Sequence, residues 1–351
     1  MDKEKAKVFI DNSFLREFLF DSEITDITYN GADLYYLHNR LGRKKADAHI
    51  SEEEAKDFIR QVANLTEKQF SFQNPKLDAS IGKLRINATH PSIARRNNEH
   101  CLNFAIRVAK DDTIINKEST FLNAELIALF EVLVKSHMSI VIGGATGSGK
   151  TELQKYLINS MPDFTRIIVI DNVLELDNLD FNRLDINIWQ SDDKNKEATV
   201  QELVKNALRS NPDWLLVAES RGKEMVEVLN SAMTGHPIIT TVHSFDINSI
   251  PSRIAGMIMM NEQKYDFRSL MKDIYYHFRF YAFLRRKIDA NGQVTRFIEE
   301  VAYFDEKGQK TTIYVNKGGE RKTYKLTNEV LSNLDYQDND VFKETFMEEK
   351  I

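Results

Sequence analysis

A single cysteine, Cys101, stands in the whole chain. No internal disulfide is therefore available, and its place beside an apolar run makes a buried thiol the expected state. Long apolar runs are absent too. The N-terminus, Met1 to Asn12, is charged and carries no stretch suited to a signal peptide, and the most apolar region, Leu126 to Val134, is interrupted by Glu131 and is too short to span a bilayer. The expected location is cytoplasmic, with a peripheral role at a membrane left open. An excess of positive charge is also missing: the net charge is -6, which argues against a general nucleic-acid binder while leaving room for a local basic patch. Internal repeats and low-complexity tracts are lacking, which sets repeat arrays aside. At 351 residues the chain is long enough for two domains with separate cores.

What is present is a phosphate-binding signature. The stretch from Ser139 to Thr151 opens with an apolar, β-branched run of buried-strand length, Ile140 to Ile142, then passes through a glycine-rich turn into a helix-like segment. Within it Gly144, Ala145, Thr146, Gly147, Ser148, Gly149, Lys150 and Thr151 fit the spacing G-x-x-x-x-G-K-[ST]. Glycines permit backbone conformations closed to other residues, so successive N–H groups point inward as an anion nest at a helix N-terminus. Lys150 would reach the β- and γ-phosphates of ATP, and the Thr151 hydroxyl would hold Mg2+. A turn that binds nothing is the plainer reading; the strand and helix on the correct sides argue against it.

From Asn12 to about Lys110 helix-like and strand-like segments alternate, with strands expected at Ile24–Tyr29, Leu34–Leu37, Lys83–Ala88 and Leu102–Val108. Ser51 with Glu54 forms a capping box that opens a helix through Val62. This reads as a small α/β domain, 1–110, followed by a polar linker, 111–121. Asn123 then caps a one-faced helix leading into the phosphate-loop strand. Further strands, Arg166–Ile170, Trp214–Ala218 and Ile238–Val242, alternate with helices and end at Asp171, Glu219 and His243. The fold class is α/β: a RecA-like P-loop NTPase domain with a mostly parallel sheet, 122–305, preceded by the smaller α/β domain. Beyond it, a C-terminal extension, 306–351, holds stretches at Thr311–Val315 and Thr323–Leu326 that could pair as strands. Its acidic end, Glu344–Glu349, reads as loosely ordered.

Ligands of such sheets bind at the carboxyl ends of the strands, so Gly144, Asp171, Glu219 and His243 are placed to share one site. Glu219, delivered by an apolar strand, is the best candidate to order Mg2+ and orient the attacking water. A mere helix N-terminal charge is its bland alternative. Asp171 and Glu175 are equally readable as surface carboxylates. His243 is a γ-phosphate sensor or a structural histidine. The cluster Arg285-Arg286-Lys287 reads as a solvated face.

The stretch from Arg209 to Asp213, Glu219 with Arg221 and Gly222, Thr234 to His236, and Thr240 to His243 resemble the secretion or traffic ATPases, the hexameric motors of type II and type IV secretion and of type IV pili. In that family a Walker B strand ends in glutamate and a histidine box follows, which Thr240–His243 matches; the Asp box corresponds to Ile170–Leu176. The N-terminal domain is similar to that of the type IV secretion and conjugation branch, through Asp21–Ile27, Asn30-Gly31, Pro75–Ala79, Gly82 and Arg85, and the four-cysteine module of some type II relatives is missing. Two departures stand out within the motifs: Asp171-Asn172 where Glu-Asp is usual, and Ala218 where glycine is usual.

The resemblance implies a homo-hexamer, with ATP held between the two domains and complemented by Arg85 and Arg107, and less clearly by Arg95 and Arg96. It implies inner-membrane secretion, conjugation or pilus assembly proteins as partners, a place at the inner face of the cell membrane, and no direct need for nucleic acid. Lys150, Glu219, Asp171, Glu175 and His243 are the expected catalytic set. A RecA-like motor directed by nucleic acid and a regulatory subunit that binds ATP without turnover are the alternatives.

Overall fold

Alternating burial builds the first of two units into which the chain divides, Met1–Asp111 with Lys287–Thr295, and Asp112–Arg286 with Arg296–Ile351. The structure, a computed structural model, describes residues 8–109, 121–173, 175–176, 182–192, 195–261 and 265–348. The expected linker, up to Thr120, lies outside the described residues.

In the first unit the strands are β1 (Ile24–Tyr29), β2 (Leu34–His38), β3 (Gly42–Lys45), β4 (Lys76–Ile81), β5 (Leu84–Thr89), β6 (Arg95–Arg96), β7 (Glu99–His100) and β8 (Asn103–Val108). Six of them form an antiparallel sheet in the order β3-β2-β1-β8-β5-β4, and β6 and β7 make a separate ribbon. One face buries Leu77, Ala79, Ile81, Ile86, Phe104 and Ile106 against Ala55, Phe58, Ile59 and Val62 of the helix Glu52–Leu65. The expected capping box starts that helix: Glu54 N donates to Ser51 Oγ (3.2 Å) and Ser51 N donates to Glu54 Oε2 (2.8 Å). Cys101 is buried, as expected. The segment 287–295 joins this unit through Val294 N, which donates to Arg40 O at 2.7 Å.

The second unit carries a nine-stranded sheet. Strands β9 (Ile140–Gly144), β10 (Arg166–Asp171), β11 (Asp185–Gln190), β12 (Trp214–Val217), β13 (Ile238–Val242) and β14 (Phe280–Ile288) are parallel, in the order β11-β10-β12-β13-β9-β14. The sheet continues with β15 (Val294–Phe304), β16 (Lys310–Lys317) and β17 (Glu320–Thr323). The apolar runs of β9, β10, β12 and β13 are unbroken because both faces are covered. Ile140, Ile142, Trp214 and Leu216 pack on helices Ala124–Lys135 and Lys150–Asn159. Val141, Leu215, Val217 and Val242 face helices Val200–Ala207, Met225–Met233, Ser249–Ile258 and Phe267–His277.

Residues 306–351, set apart by the sequence as an extension, belong to this second unit. Strand β16 does pair with the segment that follows it, but the partner begins at Glu320, so Tyr314 faces Thr323. Up to Glu348 the acidic end corrects the expectation of loose order, and Glu349 lies outside the described residues. Asp340–Phe346 is a helix capped by Asn339, and its Phe342 and Phe346 are wholly buried in the core that includes helix Ala124–Lys135. Lys135 holds Asp335 (3.2 Å) and Asp338 (2.9 Å) beside it. Net acidity misled because the acids face outward while the aromatics, four apart, share the inner face. Phe342→Ala should cost about 3–5 kcal/mol of stability, read as a lowered denaturant midpoint in equilibrium unfolding.

Candidate nucleotide site

Strand β9 runs into a loop with no room for side chains. A Cβ on Gly144 would lie 2.6 Å from Leu284 O and 2.7 Å from Ser148 Oγ, and Gly144 itself has φ +149°. Gly147 has φ +72°, a left-handed conformation that favours glycine. Helix Lys150–Asn159 then begins directly after Gly149, with Thr151 in its first turn. Lys150 is folded back on this loop and nearly buried: its Nζ donates to Gly144 O (2.9 Å) and Ala145 O (3.1 Å). The ammonium thus waits at the phosphate loop, held by carbonyls that an incoming anion can outcompete.

Two strands away in the sheet, β12 delivers Glu219, and β13 between them delivers His243. Hydroxyls staple the two ends together. Thr241 Oγ1 donates to Ala218 O (2.8 Å), Ser220 N donates to Thr241 O (2.9 Å), and the buried Ser220 and Thr240 hydroxyls are 2.9 Å apart. As a result Glu219 Oε1 lies 2.7 Å from His243 Nε2, a close approach without good hydrogen-bond alignment, and Glu219 Oε2 accepts from Arg221 Nη2 at 2.6 Å.

Charge states follow from these contacts. Burial pushes the Glu219 carboxyl up, but the hydrogen bond and charge of Arg221, with His243 and Lys150, outweigh it and hold the pKa below the usual carboxylate value. Burial and then the Lys150 charge lower His243, with Glu219 opposing, so the net shift is downward. At neutral pH the site therefore presents a carboxylate beside a neutral imidazole.

Asp171 ends β10, next to β12 in the sheet, and is almost entirely buried. Its Oδ1 accepts from Val173 N and its Oδ2 from Glu175 N, both at 2.9 Å. Burial, and after it the charge of Glu175, raises its pKa against those N–H groups. The geometry thus brings together Lys150, Glu219 and His243, whereas both oxygens of Asp171 are engaged within its own turn. In the first unit, Arg85 and Arg107 are cross-strand neighbours on β5 and β8. Arg85 forks onto Asp78 (3.2 and 3.0 Å) and Arg107 lies 3.7 Å from Asp26. Arg96 is held by Asn30 (3.1 Å) and Asp33 (3.2 Å).

Three arginines of the site went unassigned from sequence. Arg221 has a legible signal, its position two residues past Glu219 at the end of an apolar strand. Arg296 Nε donates to Gly147 O at 2.7 Å from β15, a contact between distant positions that no local pattern announces. Arg286 corrects the reading of 285–287 as one solvated face, because its Nε is shut off from solvent.

Residues 73–274 match the family described as Type II/IV secretion system protein. The chain is 29% identical over 300 residues to an uncharacterised protein of Bacillus anthracis, covering 82% of this chain and 66% of that one. It is 26% identical over 291 residues to the type IV secretion system protein VirB11 of Brucella suis, covering 74% and 80%. The structure resembles the Legionella pneumophila ATPase DotB with a TM-score of 0.61 at 21% identity, over 85% of this chain and 81% of the other.

The His243 imidazole should titrate below the 6.5 of a free histidine. Between the lowered value and 6.5 the unfolded chain binds more protons, so His243 subtracts stability as pH falls through that window. In an NMR titration Lys150→Met should move the midpoint up and Glu219→Gln should move it down.

Proposed function

The chain belongs to the type II/IV secretion system protein family, and on that premise we propose that it is a hexameric ATPase that powers a membrane-associated type IV secretion, conjugation or pilus assembly machine from the cytoplasmic face. The observation that carries the catalytic part is the convergence of Lys150 with an ionised Glu219 at the carboxyl ends of one parallel sheet. The ring and its inner-membrane partners rest on the family resemblance, and no direct contact with nucleic acid is required.

The loop from Gly144 to Thr151 binds the polyphosphate through inward backbone N–H groups, and Lys150 exchanges its two carbonyls for phosphate oxygens. Glu219, ionised, accepts a hydrogen bond from the attacking water and orients it. Neutral His243 lies against Glu219 and can donate a hydrogen bond toward phosphate. Among the described residues no group of three or more His, Cys, Asp or Glu side chains is placed to hold a metal by itself. The oxygen donors fit an ion that enters with the nucleotide: Thr151 and the phosphates would hold Mg2+, which supplies charge neutralisation. Asp171 and Glu175 serve this site by shaping the turn after β10.

Phosphate release from the purified protein tests the reading. Lys150→Ala and Glu219→Gln should each lower turnover by roughly a hundredfold or more, and ATP with Mg2+ should favour hexamers in mass photometry. Tight ATP binding without turnover in the wild-type ring would overturn the motor and leave a nucleotide-gated scaffold.

A further inference from the structure

The parallel register of β14 on β9 sets Leu284 opposite Gly144. Arg286 therefore stands two residues further on, where the phosphate loop leaves β9, at the carboxyl end of its strand. Alternation separates the neighbouring arginines. Arg285 takes the face of Phe283, lies 4.8 Å over that ring and pairs with Glu299 (Nε to Oε2, 2.8 Å). Arg286 takes the other face, that of Leu284, which belongs to the same core as helix Lys150–Asn159.

There the guanidinium lies along the loop. Its Cδ and Nη1 are 3.9 Å from the point a Gly147 Cβ would occupy. Its Nε is buried with no hydrogen-bond partner, and among the described residues Arg286 has no ion pair. Next to it, Arg296 braces the loop from outside through Gly147 O. A buried guanidinium N–H without a protein acceptor calls for one from a ligand, and against the Gly144–Thr151 loop at a strand carboxyl end the acceptor that also matches its charge is an anion.

We propose that Arg286 is a phosphate-contacting residue of the nucleotide site, supplied by the same subunit as the phosphate loop, with Arg296 as a positioning residue that fixes Gly147. The assignment rests on the nucleotide reading given above. It adds a cation from the far side of β9 to the charge that Lys150 provides, and its ligand chemistry is a polyphosphate.

Calorimetric titration of Mg-ATP, Mg-ADP and AMP into the full-length chain, beside Arg286→Ala, Arg286→Lys and Lys150→Ala, tests it, with thermal unfolding of each protein alone and with Mg-ADP. Arg286→Ala should weaken ATP and ADP binding on the order of tenfold and leave AMP little changed. Arg286→Lys should recover part of the loss. Without nucleotide the Arg286→Ala melting temperature should equal the wild type's, and the rise on adding Mg-ADP should shrink. Wild-type ATP affinity in Arg286→Ala, with binding lost in Lys150→Ala, would overturn this assignment alone. A fall in the nucleotide-free melting temperature with unchanged affinity would make Arg286 structural. Undiminished ATP binding by Lys150→Ala would overturn the nucleotide reading itself.

Discussion

The end of β9 has no space for a side chain, and the second unit is arranged around that fact. A Cβ on Gly143 would sit 2.5 Å from Ile250 Cδ1 and from Ser244 Oγ, while one on Gly144 would strike the backbone of Leu284. Bare backbone there lets helix Ser249–Ile258 close down on one side and β14 on the other. Any larger residue would push apart the parallel neighbours that carry His243 and Arg286. The same narrowness bends the chain into the loop and starts the next helix with Lys150 already inside. Packing and chemistry at this point thus depend on one steric condition.

Electrostatics then sorts the groups that the sheet collects. Glu219 is desolvated, which by itself would favour its neutral form, yet Arg221, His243 and Lys150 return it to the charged form. His243 experiences the same Lys150 as a repulsion. The Lys150 ammonium therefore adds to what Arg221 chiefly does for the ionisation of a neighbouring acid, and it favours neutrality in a neighbouring base, a division that suits a water-orienting carboxylate. Asp171 has no such cation among the causes of its shift, and burial dominates there.

Much of this architecture was legible in the residues. The runs Ile140–Ile142, Arg166–Ile170, Trp214–Ala218 and Ile238–Val242 are apolar on consecutive positions because both faces are covered, and the caps at Ser51 and Asn123 marked helix starts by hydrogen bonds now visible. Other elements hid for physical reasons. In β4 the period-2 alternation of Leu77, Ala79 and Ile81 with exposed polar residues was there to be read, whereas β11 has no fully buried residue, as befits an edge, and so did not look like a strand. Helix Ser249–Ile258 hides behind Pro251, which reads as a breaker but sits in the first turn, where proline costs little. At the site, Lys150 and Glu219 could be named from spacing, but the separation of Arg285 from Arg286 depends on strand register, which a run of basic residues does not reveal.

The first unit is discontinuous: it closes with residues 287–295, after the whole stretch from 112 to 286 has been added to the chain. Its sheet and helix possess their own core and can collapse early during synthesis. The hydrogen bond from Val294 to Arg40 cannot form until the ribosome has made most of the second unit. Loop-closure entropy rises only slowly with such a span, but a long-range contact of this kind belongs to late folding. Residues 8–109 alone are therefore an unfinished unit. A cut anywhere between 109 and 121 would leave the missing piece attached to the second unit, so the two units cannot be parted cleanly at a single site.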